Sequence, residues 1–210
     1  MFRDRKDAGI KLAKALAAYR DQNVLVLAIP RGGVEVGCEV ARALHADFSL
    51  LICRKLPFPF DPESGFGALA EDGSLFINEG AAASVSQTER ERIIAEQREE
   101  VRRRIETLRG GEPLPPIRGR TVILVDDGIA MGSTMHAAVE LCRKRRAAGI
   151  VVAVPVAGEQ TIRKFSRMAD EVVVLESPEF FYAVAQVYER WYDVSDAEAR
   201  EQFRRRAPSA

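Results

Sequence analysis

Apolar and polar positions along this chain follow two alternating periods. Val24 to Ile29 is an unbroken apolar run, as expected of a strand buried on both faces. Phe48–Cys53 and residues 121–125, 150–156 and 172–175 read the same way. Between them the apolar positions shift to helical spacing, which predicts helices over 4–20, 34–44, 134–146 and 159–168. Strands alternating with helices predict an α/β, Rossmann-like parallel sheet with helices on both faces. Two stretches depart from this rhythm. Residues 54–67 carry Pro57, Pro59, Pro62, Gly65 and Gly67, and read as a mobile loop. Ala68–Ile77 follows, with the hairpin signal Asp72-Gly73 at its centre. Residues 86–108 then read as a long charged helix opened by a capping box from Ser86 to Glu89. Its apolar stripe (Ile93, Ile94, Val101, Ile105, Leu108) is thin, which predicts an outer arm rather than a core helix. The final segment is aromatic from 178 onward and charged after that.

Composition narrows the function classes. A chain of 210 residues, 47% hydrophobic and 30% charged, supports one domain with a small extra element. We therefore expect a single domain over 1–210, with 54–110 as an insertion and 177–210 as a hood over the site. A formal net charge of zero argues against a nucleic-acid surface. The basic run Arg143–Arg146 closes a helix, where positive charge suits the dipole. No apolar stretch reaches the roughly 20 residues of a membrane helix, and the first residues, MFRDRKDAG, lack an apolar leader. Cys38, Cys53 and Cys142 are scattered and read as free thiols without a zinc site. His45 and His136 read as surface or helix-end residues. Together these features predict a cytoplasmic protein.

The chemistry concentrates in residues 122–134, VILVDDGIAMGST. In an open parallel sheet, ligands bind beyond the carboxyl ends of the strands, and Asp126 and Asp127 stand at such an end. The loop then enters a helix whose first amides are unpaired and carry partial positive charge. Gly132 permits close backbone approach, and Ser133 and Thr134 add hydroxyls. Such a nest suits a phosphate, while the acid pair suits sugar hydroxyls or a hydrated magnesium ion.

The stretch resembles the 5-phosphoribosyl-1-pyrophosphate (PRPP) signature of type I phosphoribosyltransferases. The resemblance runs from Val24 to about Tyr192. It implies that Asp126 and Asp127 hold the ribose hydroxyls and a Mg2+ ion, and that Ala130, Met131, Gly132, Ser133 and Thr134 hold the 5-phosphate. Pro30-Arg31-Gly32-Gly33 resembles the family's pyrophosphate loop, which implies a cis or otherwise unusual bond at Pro30–Arg31 and a grip on pyrophosphate by Arg31, Gly32 and Gly33. Arg54 and Lys55 resemble the basic pair at the root of a closing catalytic loop that includes Glu63, Ser64 and Gly65. Phe181 and Tyr182 are candidates to stack on a base, or are simply core. The implied reaction moves the phosphoribosyl group from PRPP to a nitrogenous base, releasing pyrophosphate. Three departures bear on this. Several members carry an acid where Ala130 stands, and many carry Thr where Met131 stands. No Lys closes the strand at Val151–Pro155, as it does in members that bind 6-oxopurines. A non-catalytic PRPP sensor on the same fold stays open as the alternative. The 86–108 helix is left as hood wall or homodimer contact.

Overall fold

The computed structural model describes residues 1–62 and 64–206. Its centre is a five-stranded sheet of β1 (Val24–Ala28), β2 (Asp47–Leu50), β6 (Thr121–Val125), β7 (Gly149–Val156) and β8 (Glu171–Glu176). The order is β2-β1-β6-β7-β8 and every pairing is parallel. Successive strand residues point to opposite faces, so each strand feeds two cores. Val24, Val26, Ile123, Val125 and Val151 pack under α1 (Arg5–Ala15) and α2 (Gly33–Leu44). Leu25, Leu27, Val122, Leu124 and Val152 pack under α5 (Ser133–Lys144) on the other face. This is the parallel, doubly covered sheet that the apolar runs predict.

A second sheet stands beside the first: β3 (Cys53–Pro57), β4 (Gly65–Ala70) and β5 (Leu75–Ile77), antiparallel in that order. The two ends of the loop expected over 54–67 are therefore strand, while residues 58–62 and 64 lie outside any helix or strand. The apparent breakers have other reasons for their positions. Pro57 ends an edge strand, where a missing N–H costs no ladder bond. Gly67 permits a close approach, since a Cβ there would lie 2.2 Å from the Phe76 carbonyl oxygen. Phe66 and Leu56 between them are fully buried. The strand expected over Phe48–Cys53 also divides, with Asp47–Leu50 in the large sheet and Cys53 opening the small one. Glu63 lies outside the described residues.

A short helix α3 (Glu79–Ala82) leads to α4 (Gln87–Arg109), which carries the capping box between Ser86 and Glu89. α4 packs on β3 and on α7 (Asp196–Arg206) along one narrow face. Ile93, Val101 and Leu108 share a core with Leu56, Phe66 and Leu69. The thin stripe suffices because the small sheet and α7 each cover part of it. α6 (Glu159–Phe165) and 3-10 turns at Ala17–Tyr19 and Val184–Val187 complete the elements among the described residues. Cys38, Cys53 and Cys142 are buried and none is in a disulfide. Among the described residues, no helix is long and apolar enough to cross a membrane.

Candidate functional site

The sheet order reverses between β1 and β6, so their carboxyl ends open a crevice. Two loops meet there. After β1, the Pro30–Arg31 peptide is cis, as the loop's resemblance implies. Gly32 and Gly33 then press against the acid pair. A Cβ on Gly32 would lie 1.8 Å from Asp127 Oδ2, and one on Gly33 would lie 2.9 Å from Asp126 Cα. After β6 come Asp126, Asp127 and the turn into α5. Gly132 caps that helix at φ 76° with no side-chain hydrogen bond to its first amides, so those donors face outward.

A cavity of about 270 Å³ lies over this turn. Asp126, Ala130, Met131, Gly132, Ser133 and Thr134 line it on one side, and Lys55 and Gly65 reach it from the small sheet. Val184, from the 3-10 turn, closes it. The structure thus brings together the phosphate-loop candidates, one acid and one lysine.

Other candidates are placed differently. Arg54 neighbours Lys55 on β3 and therefore points to the opposite face. Its Nε donates to Gln97 Oε1 of α4 at 3.1 Å. Burial and the nearby Arg104 charge lower its pKa. Arg31 lies 3.7 Å from Asp196 at the start of α7. Phe181 lines an adjoining cavity of about 630 Å³, which shares Ala130 with the first. Tyr182 is 84% exposed.

Asp127 is the residue that most departs from expectation. Its Oδ2 accepts a hydrogen bond from Arg5 Nε at 2.8 Å, and its backbone carbonyl accepts one from the Tyr188 hydroxyl at 2.7 Å. Burial pushes both carboxyls of the pair upward. The Asp127 charge adds to the rise at Asp126, while Arg5 offsets part of the rise at Asp127. Arg5, Tyr188 and Trp191 were not legible from motif reading. One signal for Arg5 did exist: it shares a buried helix face with Ala8, Gly9 and Leu12, and a charge in a core register implies a buried partner.

Residues 3–190 match the model of the phosphoribosyl transferase domain family. Two curated relatives from Mycobacterium tuberculosis are each named "Putative phosphoribosyl transferase", Rv0571c in strain H37Rv and MT0597 in strain CDC 1551. Both are 42% identical over 205 residues, which covers 94% of this chain and 45% of each relative. The crystal structure of TT1426 from Thermus thermophilus superposes with a TM-score of 0.82 at 38% identity, over 99% of this chain and 100% of that one. The chain therefore belongs to the phosphoribosyl transferase domain family. It spans less than half the length of the curated relatives it matches.

Proposed function

We propose that the crevice binds PRPP and transfers its phosphoribosyl group to a nitrogen nucleophile, with release of pyrophosphate. The observation that supports this most is the shared lining of one cavity: Asp126, the Gly132-capped amides of α5, and Lys55 opposite them. The amides and the Ser133 and Thr134 hydroxyls suit a 5-phosphate. Asp126 suits the ribose hydroxyls. Lys55 and the backbone at Gly32 and Gly33 suit the departing diphosphate, and Arg31 joins them if it releases Asp196. The work of these groups is electrostatic and positional.

Magnesium fits this donor set as a companion of the ligand. Among the described residues no cluster of three or more His, Cys, Asp or Glu exists to hold a metal. Magnesium commonly takes one or two carboxylates and completes its shell with phosphates and water. Asp126 is the carboxylate that suits it, whereas Asp127 is paired with Arg5. When bound, the ion would supply positive charge to the leaving diphosphate. The base would enter over Ala130, toward Phe181.

A second reading, PRPP binding without transfer, draws on Ala130. That position faces both cavities and supplies no carboxylate to a nucleophile. One experiment separates the two. PRPP with magnesium is titrated calorimetrically, then incubated with a panel of bases while pyrophosphate is followed. We expect binding, and Asp126→Asn to weaken it roughly 10- to 100-fold, as for loss of a charged hydrogen bond. Binding without pyrophosphate release from any base selects the sensor. Absence of binding removes both readings.

A further inference from the structure

Asp127 stands beside the pocket but does not line it. Its Oδ2 touches two things at once. On one side is Arg5 Nε, at 2.8 Å. On the other is the Gly32 backbone, so close that a Cβ there would come within 1.8 Å. Arg5 is itself held at several points. It is only 3% exposed. Its Nη1 donates to the Tyr192 carbonyl at 2.9 Å, and its guanidinium carbon sits 3.9 Å from the Trp191 ring centroid. The Phe2 amide donates to the Val187 carbonyl at 2.7 Å, tying the segment before α1 to the 3-10 turn at Val184–Val187.

A buried ion pair of this kind is weak evidence for stability. Removing one partner is costly, while replacing both with apolar groups is often neutral. Its place is therefore better explained by what it positions. Two carboxylates on adjacent residues repel each other in a buried setting. A guanidinium clamped from three directions holds one of them in a single orientation and offsets part of its charge. It also sets that carboxylate against the turn that follows the cis peptide.

We infer that Arg5 is the positioning residue of the acid pair: it holds Asp127 against Gly32, which fixes the pyrophosphate loop and leaves Asp126 as the carboxylate presented to the ribose. The two acids then have separate duties. Asp126 meets the ligand, and Asp127 orders the loop that meets its diphosphate. The choice of ligand rests on the phosphoribosyl reading of the pocket. Lysine is a poor substitute for Arg5, because it keeps the charge but lacks a fork to reach Asp127 and the Tyr192 carbonyl together.

The test is a double-mutant cycle read in ligand affinity. PRPP with magnesium is titrated into the wild-type protein, Arg5→Met, Asp127→Asn and the double variant, with melting temperatures recorded for each. We expect each single change to weaken binding about 10- to 100-fold, the range for groups that hold a ligand's partner from behind. The double variant should bind no worse than the weaker single one, because both remove the same contact. Losses that multiply in the double variant overturn the proposal. So does lowered melting with unchanged affinity, which is what a merely structural role predicts. If Arg5→Met does not fold, Arg5→Lys carries the test, and an affinity equal to wild type overturns the proposal. A wild-type protein that takes up no PRPP refutes the phosphoribosyl reading instead. Crystal structures of the wild type and Arg5→Lys then decide: Asp127 must move away from Gly32 in the variant, and an unmoved Asp127 overturns the inference.

Discussion

A single methyl group added at Gly132 would meet two obstacles. The backbone there has φ 76°, where L side chains are disfavoured, and the new Cβ would lie 2.7 Å from Phe165 Cε2. We expect Gly132→Ala to cost about 1–2 kcal/mol from the left-handed backbone alone. PRPP affinity should fall with it, since the same turn aims the first amides of α5. Chemical denaturation and calorimetry check both, and a variant equal to wild type in each would show that the turn accepts a side chain. One turn further on, His136 stacks on Phe76 with ring centroids 3.7 Å apart. Burial, together with Lys164 and Arg143, lowers its pKa from 6.5 to about 4. The unfolded chain therefore takes up a proton first as pH falls. The stability due to the neutral ring is present above pH 6.5 and is lost toward pH 4. The ring is partly exposed, so screening limits the effect to about 1 kcal/mol. His136→Gln should flatten the pH dependence of the melting temperature between those limits, and an unchanged slope would show that other groups set it. At this scale the sequence revealed chemistry that is contiguous: strand, acid pair and Gly-Ser-Thr turn occupy consecutive positions. It concealed the partner of Asp127, which lies 122 positions away.

Among the elements, the strands with two apolar faces were legible because nothing else in the chain produces such runs. Thr121–Val125 was located to the residue. The small sheet was not, because proline and glycine carry opposite meanings in loops and at close backbone approaches. Only the neighbouring chain decides which applies. The joint between this sheet and α4 shows what the ladder pattern also hides. Arg109, at the end of α4, is 5% exposed. It makes a two-pronged pair with Glu71, just past β4, and donates to the Leu50 carbonyl of β2 at 2.7 Å. Three elements thus converge on one guanidinium. We expect Arg109→Met to destabilise the fold by about 3–5 kcal/mol, because it strands a buried carboxylate. Adding Glu71→Leu should recover much of that loss. Denaturant midpoints of the two variants measure this, and equal destabilisation in both would mean that the pair's charge is not what the joint depends on.

At the scale of the whole molecule, alternation of strand and helix fixed the architecture but not the strand order. The order depends on which helix covers which face, and apolar runs are silent on that. The packing of the segment after β8 is likewise a product of distant contacts. Val184 reaches the cavity, and α7 packs on α2 and α4, though neither has a motif that announces it. The clasp around Asp127 has a consequence for the order in which the molecule is made. Arg5 and the Tyr192 carbonyl it grips are 187 positions apart. Synthesis runs from one end to the other, and contacts between distant segments are slow to close. While a chain is still being extended, β1, β6 and the turn into α5 can assemble, yet Arg5 lacks the carbonyl and the indole that hold it. Such a chain has the outline of the site without its settled acid pair. On the role proposed for Arg5, competence for the ligand then waits until Trp191 and Tyr192 emerge and close over an arginine made 187 positions before that tyrosine.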